Sequence, residues 1–526
     1  MSEYIEAISP ALFIVVIFLS ALIQRVSFQL FQLRTTPYTG ADTHFHLYFI
    51  DSIRRHGFRV PKYYERFLGN FIISYPYSIH QAFALTCIPT RWLEHWGNPF
   101  LDTAYVTIGS YLLLQLGSSQ TDVAHFCIIY VFTPLLFSPQ SIGPRVQCFT
   151  PRLAAEISIG IFFISWCYWD VHPSLWLGTV IALTGAFTLL GSSFGLQCLI
   201  LGACGLSLAA ANWSPFVFLT GSFLIALISQ PQLSRKVFKA KWSHWQNYLR
   251  LMREGSIGTA RRNIGASWLR HMYRHRWQQL YREVNHFNPL LIVATKAPAA
   301  LAIALSVVHT KSLPPFEINL LTFASVFVIL FVATSLRPFL FLGEAERYIS
   351  NAYVAIAILG ASTLPHYSYP IIFCFGVVFQ LLDFITHKTL VKNLRSDEDL
   401  KLIEALNSLP PSRVAFVPGG LGGWRALRLT HHSCITPFHS ILGGNQEQDN
   451  QHLYLSYEQL DLRRFNKLVQ FYDINVLALR ESAIQEQALP SDWWQAYGLT
   501  RTKVSDDVSI YTRTSISNSQ PDSRTS

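Results

Sequence analysis

The chain has 526 residues, of which 50% are apolar and only 14% are charged, and its formal net charge is +10 at pH 7. Soluble domains carry about a quarter charged residues, nearly twice this fraction. The composition therefore excludes an ordinary soluble globular protein and predicts a membrane protein.

The first apolar run extends from Ser9 to Ile23. A secretory signal peptide begins with a basic segment and ends at an Ala-x-Ala-like cleavage site. Here the preceding charged residues are Glu3 and Glu6, and no such site follows. We therefore expect a retained anchor helix.

Further runs of roughly 17–20 apolar residues follow, the length that a helix needs to cross ~30 Å of hydrocarbon. They cover residues 100–117, 121–138, 153–170, 173–191, 193–210, 211–229, 289–308, 317–336, 348–364 and 368–386. Residues 71–89 are a weaker candidate, because Pro76 and His80 interrupt them. Backbone groups in lipid must be satisfied within the segment, so the spans must be helices. The sequence predicts a polytopic α-helical membrane protein with eleven or twelve spans.

A loop expected at residues 25–70 contains Asp42, His44 and His46. The stretch after Asp42, from Thr43 to His56, is predicted to form a helix closed by a C′ glycine at position 57. Asp42 and His46 are four residues apart, so both side chains can face one side of the helix start. Two interpretations stay open: the acid and the histidines do chemistry, or Asp42 is a helix N-cap and the histidines are interfacial residues.

Residues 230–288 account for the whole net charge, with twelve Lys and Arg residues against Glu254 and Glu283. Such a basic segment between spans indicates a cytoplasmic loop. If residues 71–89 span, the N-terminus is then cytoplasmic and the loop at 25–70 is external. Trp and Tyr alternate with the charges, which suits helices on an anionic lipid leaflet. Nucleic-acid binding is the other interpretation, but surface binding explains the same residues in a membrane protein.

Two further polar clusters lie at the ends of apolar runs. Arg152 and Glu156 are four residues apart at the start of one run, so a local ion pair competes with a functional role. Glu344, Glu346 and Arg347 precede a late span. They could contact substrate, or Arg347 could pair with either acid at the helix start.

The pattern changes after about residue 388. Charged and apolar residues alternate at helical spacing over 395–408, and short β-rich runs follow at 413–418, 475–480 and 508–513. We expect a membrane domain at 1–388, a small α/β domain at 389–514 and a disordered tail at 515–526.

The anchor helix, Asp42, the helix ending in Ile-Arg-Arg-His-Gly at 53–57, and the Tyr-Pro…His segment at 75–80 together resemble the GT-C superfamily. These integral membrane glycosyltransferases take sugars from polyprenyl-phosphate donors. They include protein O-mannosyltransferases, the lipid A aminoarabinose transferase and the oligosaccharyltransferase catalytic subunit. The helix start at Thr150–Glu156 and the appended α/β domain are similar to features of this superfamily.

The resemblance implies that Asp42 is a catalytic base or a metal ligand. The second acid usual beside it is missing, and His44 and His46 stand there instead. This departure argues against a simple two-carboxylate metal site. A divalent cation, Mg²⁺ or Mn²⁺, with Asp42 and His46 as ligands stays open as an alternative.

Transfer of a phosphate-linked sugar needs a base for the acceptor proton and cations for the leaving phosphate. We expect Asp42, His44 and His46 as catalytic residues. The expected substrate-binding residues are His80, Arg145, Arg152, Glu344, Glu346 and Arg347. The function expected is a hexosyltransferase-type glycosyltransferase of a bacterial-type plasma membrane, moving a sugar from a polyprenyl-phosphate-linked donor to an acceptor.

The expected partners are the lipid-linked donor and anionic membrane lipids, the latter through residues 230–288, and not nucleic acid. The alternative is a transporter or flippase of lipid-linked saccharide. Such carriers show duplicated halves and intramembrane charges. This sequence shows neither clear repeats nor a charged residue deep within a span.

Overall fold

The computed structural model describes residues 6–35, 41–68, 73–138, 148–253, 262, 264–310, 312–391, 396–417, 422–435, 471–483 and 492–513. The chain forms two compact units. The membrane unit consists of Met1–Val60 and Ser74–Leu394, and the α/β unit of Pro61–Ile73 and Arg395–Ser526. The sequence predicted the second boundary six residues earlier, after residue 388, and did not predict that a piece of the first loop belongs to the α/β unit. The tail predicted at 515–526 lies outside the described residues.

The predicted apolar runs form helices of the membrane unit, and the first loop and the basic loop form further helices. They are α1 (Pro10–Thr35), α2 (Ala41–Arg55), α3 (Ser78–Leu85), α4 (Asn98–Gln115), α5 (Gln120–Val131), α6 (Pro151–Val171), α7 (Leu175–Leu189), α8 (Ser193–Ala209), α9 (Ser214–Ser229), α10 (Pro231–Arg253), α11 (Ser267–Tyr273), α12 (Trp277–Arg282), α13 (Pro289–Lys296), α14 (Pro298–His309), α15 (Pro315–Ser335), α16 (Glu346–Thr363) and α17 (Ser368–Val391). Short helical turns occupy Thr90–Trp92, Leu93–Gly97, Pro134–Phe137, Glu283–Phe287 and Arg337–Leu342.

Among the described residues, four helices are long and apolar enough to cross a membrane, namely α1, α6, α15 and α17. The number becomes five if α13 and α14, bent by 81° at a short break, form one span. Helices α7, α8 and α9 are apolar but shorter. These lengths do not confirm eleven or twelve spans. The weak candidate at 71–89 is wrong as a span, since α3 has eight residues and is about 12 Å long.

Aromatic side chains fill the centre of the membrane unit. The ring of Phe163 on α6 stacks on Phe323 of α15, with centroids 4.8 Å apart, and meets Phe327 edge-on. Helix α8 approaches the same rings through Gly202, where a Cβ atom would lie 2.7 Å from both Phe163 and Phe327. Small residues allow this close approach of helices in lipid, so van der Waals packing holds the bundle together.

A buried ion pair lies inside the bundle. The Arg25 Nε donates to Asp102 Oδ2 at 2.6 Å, and both side chains are 0% exposed. Arg25 also donates to the Val131 carbonyl at 2.7 Å. Helix α1 continues to Thr35, so Arg25 is part of a helix and not of the first loop. Arg25 lies in the last third of the candidate span Pro10–Phe31, and a partner carboxylate on α4 neutralises its charge.

The α/β unit contains helix α18 (Ser396–Asn407), helix α19 (Gly423–Leu429) and a five-stranded sheet. The strands are β1 (Arg413–Val417), β2 (Ser433–Ile435), β3 (Val476–Arg480), β4 (Leu499–Lys503) and β5 (Val508–Arg513), and short turns occupy Glu481–Ala483 and Gln495–Tyr497. Their order is β2-β1-β3-β5-β4. Strand β1 is parallel to both of its neighbours, β2 and β3, whereas β5 is antiparallel to β3 and β4. The predicted small α/β domain is thus confirmed, and its three predicted strands form β1, β3 and β5.

Candidate active site around Asp42

Helix α2 carries Asp42 and ends as the sequence predicted. The Phe58 N–H donates to the Ile53 carbonyl at 2.9 Å, and the Gly57 N–H donates to the Arg54 carbonyl at 3.1 Å. Gly57 has φ +63°. This pattern is a Schellman motif with glycine at C′, where a left-handed conformation is needed. The helix starts at Ala41, so Asp42 lies in its first turn and not before it.

The Asp42 carboxylate is accessible and has no hydrogen bond or ion pair with any residue that the structure describes. An N-cap would accept a hydrogen bond from a backbone N–H of the first turn, so helix capping does not account for this residue. Burial raises the pKa of Asp42, the charge of Arg347 opposes that rise, and Glu344 adds to it. An accessible carboxylate that is still desolvated by surrounding protein fits the wall of a recess.

The Arg347 guanidinium interacts with several of the polar groups near Asp42. It pairs with Glu344 three residues earlier, as one of the two sequence interpretations predicted. Its guanidinium also lies over the Phe194 ring, 5.4 Å from the centroid. Burial opposes ionisation of Glu344, but the nearby Arg347, Arg262 and Arg152 hold the pKa of this carboxyl below its usual range. Arg347 and Glu344 therefore form an ionised pair within electrostatic reach of Asp42.

Arg152 belongs to the same group of charges. Arg347 and Glu344 both act on its charge, and its Nε donates to Glu156 Oε1 at 3.0 Å. This pair at a spacing of four is the local ion pair that the sequence predicted. The Ser350 hydroxyl donates to the same Glu156 oxygen at 3.1 Å. Arg152 is thus oriented by Glu156, which is itself held by α16.

Three helices begin at this place. Asp42 lies in the first turn of α2, Arg152 in the first turn of α6 and Arg347 in the first turn of α16. Each helix N-terminus carries a partial positive charge and free backbone N–H groups. These helix N-termini favour an anionic group beside Asp42, whereas the charges of Arg152 and Arg347 are balanced by Glu156 and Glu344.

The basic loop reaches the same cluster through Arg262. Its Nη1 lies 2.6 Å from Glu346 Oε2, and its Nη2 lies 3.8 Å from Glu344 Oε1. The loop at 230–288 and the Asp42 helix therefore meet at one end of the bundle. The sequence analysis expected the two on opposite faces of the membrane, and the contact of Arg262 with Glu346 favours one face for both. A count of positive charges cannot distinguish a cytoplasmic loop from one whose arginines pair with acids.

The predicted histidines have protein partners. His44 Nε2 lies 3.8 Å from Glu94 Oε1. His46 Nδ1 and His80 Nε2 are 3.0 Å apart, so one donates a hydrogen bond to the other. Burial and the neighbouring His80 hold the pKa of His46 well below its ordinary value, and burial lowers the pKa of His80 to about 3. Both imidazoles are therefore neutral and buried at pH 7, which suits support of α2 and α3 better than contact with a charged ligand.

Tyr75 lies between Asp42 and this histidine pair. Its ring is 5.3 Å from Phe45 and 5.7 Å from His80, between centroids. Burial and the charge of Asp42 both raise the pKa of Tyr75, against the opposing effect of Arg347. The phenol is thus protonated and lies within reach of the field of Asp42.

The described residues contain no group of three or more His, Cys, Asp or Glu side chains that could hold a metal ion. The predicted ligand His46 directs its Nδ1 to His80. The donor set around Asp42 therefore does not fit the divalent cation that the resemblance implied.

The structure thus gathers Asp42, Arg152, Glu344 and Arg347 at one site, with Glu346 buried behind them. His44, His46 and His80 lie in the supporting layer, and Arg145 lies outside the described residues. Sequence reasoning missed Tyr75, Glu94 and Arg262. The Tyr-Pro-Tyr segment before His80 was the available signal for Tyr75, whereas Arg262 had no signal beyond the charge of its loop.

No family model matches the sequence, and no curated protein matches it. Solved structures do share the fold. ArnT from Cupriavidus metallidurans, bound to undecaprenyl phosphate, aligns with a TM-score of 0.54 at 10% identity over 97% of this chain and 99% of that chain. The Archaeoglobus fulgidus oligosaccharyltransferase complex with Zn and sulfate aligns with a TM-score of 0.52 at 11% identity over 89% and 68%. The chain therefore shares its fold with these two solved structures, and its described residues include four helices long and apolar enough to cross a membrane.

Proposed function

We propose that this protein is a membrane glycosyltransferase that moves a sugar from a polyprenyl-phosphate-linked donor to an acceptor at the membrane face. The observation that carries the proposal is Asp42 itself. It is an accessible carboxylate with no hydrogen-bond or ion-pair partner among the described residues. The charge of Arg347 acts on it, near the N-termini of α2, α6 and α16.

Asp42 acts as the general base in this proposal. The acceptor hydroxyl attacks the anomeric carbon of the donor sugar, and Asp42 takes the hydroxyl proton as the new C–O bond forms. The bond from the anomeric carbon to the phosphate oxygen breaks, and polyprenyl phosphate leaves with the electron pair. Attack opposite to the leaving group inverts the anomeric configuration. The raised pKa of Asp42 makes it a stronger base than an exposed carboxylate.

Arg152 and Arg347 are the groups suited to the leaving phosphate. Arginine offers a planar fork of donors that matches phosphate oxygens. Glu156 and Glu344 each pair with one of these guanidiniums, which fixes their orientation before the donor binds. Such pre-oriented charges stabilise the negative charge that develops on the phosphate in the transition state.

The remaining predicted residues receive supporting roles. Glu346 is fully buried against Arg262, so we assign it to the structure behind the site and not to substrate contact. His46 and His80 hold α2 against α3 and thereby fix the position of Asp42. Chemistry through a metal ion is not part of the proposal, because the described donor groups do not form a metal site.

The shared fold supports a polyprenyl-phosphate-linked donor. ArnT, whose structure aligns over nearly the whole chain, was solved with undecaprenyl phosphate bound. Helix α10 would lie along the same leaflet, with Arg235, Lys236 and Lys239 exposed and Trp242 61% exposed. A basic helix with exposed tryptophan binds at an anionic lipid surface, where a lipid-linked donor also resides.

An assay in detergent distinguishes the proposed glycosyltransferase from the alternative of a transporter or flippase. Detergent micelles have no two sides, so a flippase leaves the donor chemically intact. The purified full chain is mixed with sugar-labelled undecaprenyl-phosphate donors and a membrane extract as the acceptor source. We expect release of undecaprenyl phosphate and labelled product. If the donor stays chemically unchanged in detergent but crosses the membrane of proteoliposomes, the protein is a carrier and not a transferase.

A further inference from the structure

We propose that the hydroxyl of Tyr75 binds the attacking oxygen of the acceptor and directs its proton towards Asp42. Tyr75 belongs to the membrane unit, and neither the general base nor the two arginines of the proposed reaction give it a role. This proposal rests on the proposed function, because it adds a residue to the same site, and it restricts the acceptor to a molecule that attacks through an alcohol.

Three neighbouring rings fix the orientation of the Tyr75 ring. Its centroid lies 5.3 Å from that of Phe45, with the two planes at 84°, and 5.7 Å from that of His80, with the planes at 73°. The centroid of His46 is 5.9 Å away. Edge-to-face contacts of this kind are favourable for aromatic rings. Pro76 follows directly, and a following proline restricts the backbone of the preceding residue. The Tyr75 side chain is therefore held in one position.

The hydroxyl of Tyr75 is left available by this packing. A tyrosine hydroxyl that is enclosed by protein usually has a hydrogen-bond partner, as at Tyr353, whose hydroxyl lies 2.7 Å from that of Thr133. Tyr75 is partly exposed, and its hydroxyl has no hydrogen bond with any residue that the structure describes. A hydrogen-bond donor on a fixed ring is thus available to a bound molecule.

Two charged side chains show that Tyr75 lies beside the general base. The charge of Asp42 raises the pKa of Tyr75, and the charge of Arg347 opposes that rise. Arg347 also acts on Asp42 itself, so the three side chains lie within electrostatic reach of one another. Asp42 and Tyr75 both lack hydrogen-bond partners in the described part of the chain. An available acceptor and an available donor are therefore close together.

An alcohol that attacks a sugar needs this combination of groups. Its oxygen carries one hydrogen and two lone pairs. The hydrogen goes to Asp42, and a hydrogen bond from Tyr75 occupies one lone pair, which leaves the other lone pair for the bond to the anomeric carbon. Tyr75 keeps its own proton throughout, because its raised pKa prevents ionisation near pH 7. The phenol therefore orients the nucleophile and adds no proton to the reaction.

The same arrangement disfavours an amide nitrogen as the nucleophile. The lone pair of an amide nitrogen is delocalised into the carbonyl group, and the side-chain amide NH₂ group acts only as a donor. The Tyr75 hydroxyl would then find no acceptor on the attacking atom. A hydrogen bond that one substrate makes and another cannot make is a strong source of specificity. We therefore assign the acceptor to the alcohols.

Tyr75 belongs to the acceptor half of the site. Asp42 and Tyr75 come from α2 and from the segment before α3, whereas Arg152 and Arg347 come from the first turns of α6 and α16. In an inverting displacement the acceptor and the leaving phosphate lie on opposite sides of the anomeric carbon. Loss of the Tyr75 hydroxyl should therefore impair transfer without weakening the binding of the lipid phosphate.

Tyr75→Phe tests the proposal because it removes only the hydroxyl and keeps the ring among its neighbours. The matched control is Tyr63→Phe, which changes an exposed tyrosine of the first loop. Purified full chains are assayed for transfer from a sugar-labelled undecaprenyl-phosphate donor to a membrane extract, for undecaprenyl phosphate binding and for thermal unfolding. With limiting extract, we expect Tyr75→Phe to transfer about tenfold more slowly than the wild type, the loss of one hydrogen bond. Lipid affinity and unfolding temperature should stay at the wild-type values, and the control should match the wild type throughout.

The acceptor class is tested by acetylating the extract before the assay. Acetylation blocks alcohols and leaves primary amides intact, so we expect the wild type to lose transfer to the acetylated extract. Transfer at the full rate to this extract would overturn the assignment to an alcohol.

The other outcomes are equally distinct. A wild-type transfer rate in Tyr75→Phe would overturn the role of the hydroxyl. An equal loss of undecaprenyl phosphate affinity would place the hydroxyl on the donor, and a lower unfolding temperature would show that it forms a structural hydrogen bond; either result overturns the proposal. If the wild-type chain neither binds the lipid nor transfers sugar, the proposed function itself fails, whatever the behaviour of Tyr75→Phe.

Discussion

Arg262 Nη1 lies 2.6 Å from Glu346 Oε2, and the Glu346 side chain is 0% exposed. The pair joins the basic loop to the first turn of α16. The next residue of this turn is Arg347, whose charge lowers the pKa of Asp42. A buried carboxylate and guanidinium are stable only together, because each compensates the lost hydration of the other. The pair therefore explains why a loop with so many basic residues packs beside the site.

Arg262→Met is expected to destabilise the membrane unit by about 3–5 kcal/mol, since it leaves Glu346 buried without its cation. The matched control is Arg270→Met, which removes an exposed arginine from the same loop. Thermal unfolding in detergent measures the effect. Adding Glu346→Gln to Arg262→Met should recover part of the lost stability. Equal unfolding temperatures for Arg262→Met and the control would contradict the role of the pair.

The transferase rate is expected to fall on acidification at a higher pH than the ordinary carboxyl pKa of 3.8 allows. The base acts only when ionised, and burial raises the pKa of Asp42. Activity is therefore complete above this raised pKa and lost as the pH falls through it. The acid limb of kcat/KM against pH reports this pKa in the free enzyme.

Two substitutions should move that acid limb in opposite directions. Glu344→Gln removes a negative charge that raises the pKa of Asp42, so the limb moves to lower pH. Arg347→Gln removes a positive charge that lowers it, so the limb moves to higher pH. Shifts of both variants in the same direction would show that another group controls the limb.

Arg347→Gln is also expected to lower kcat by about 10²-fold, as loss of one donor to a developing oxyanion does. Arg347→Lys keeps the charge but loses the planar fork, so its kcat should fall less. Arg337→Gln, in an exposed residue just before the same helix, is the control. Steady-state kinetics with a polyprenyl-phosphate donor distinguish them. If the control loses as much activity as Arg347→Gln, the loss reflects the local turn and not the guanidinium.

The His46–His80 pair predicts acid sensitivity of stability. Burial lowers the pKa of His80 to about 3 from 6.5, so the unfolded chain binds a proton below pH 6.5 that the folded chain does not. Stability is therefore present above pH 6.5 and is lost as the pH falls from there towards 3. The His80 contribution should decrease by about 2 kcal/mol between pH 7.5 and pH 5.

Unfolding temperatures across this pH range check the histidine prediction. His80→Gln keeps a hydrogen-bonding group without the titration, so its pH dependence should be flatter than that of the wild type. The control His56→Gln changes an exposed histidine just after the end of α2. A wild-type slope in His80→Gln would assign the acid sensitivity to other groups.

Local signals in the sequence were sufficient for several parts of the site. The glycine at 57 closes α2 because its backbone conformation is decided within one turn. Arg152 and Glu156 pair because a spacing of four places them on one helix face. Asp42 could be placed at a helix start for the same reason. Interactions within one or two turns depend on few residues, so a sequence pattern predicts them.

Long-range contacts could not be predicted in the same way. Arg262 meets Glu346 across 84 residues, and Phe67 forms a bridge with Cys434, which is far from it in sequence. Neither contact has a local pattern, and each overrode a reasonable expectation. The charge of the basic loop suggested a cytoplasmic location, and no local pattern in the first loop indicated that residues 61–73 belong to the α/β unit. The residues that such a segment contacts, and not its own composition, determine where it lies.

The most direct test of the proposed function compares Asp42→Asn with Asp51→Asn, an acid on the same helix that pairs with Arg54. Both purified variants are assayed for transfer from a sugar-labelled undecaprenyl-phosphate donor and for binding of undecaprenyl phosphate. We predict that Asp42→Asn loses about 10²–10⁴-fold in transfer rate, the contribution of a general base, and still binds the lipid. Asp51→Asn should keep the wild-type rate. A wild-type transfer rate in Asp42→Asn would contradict the account.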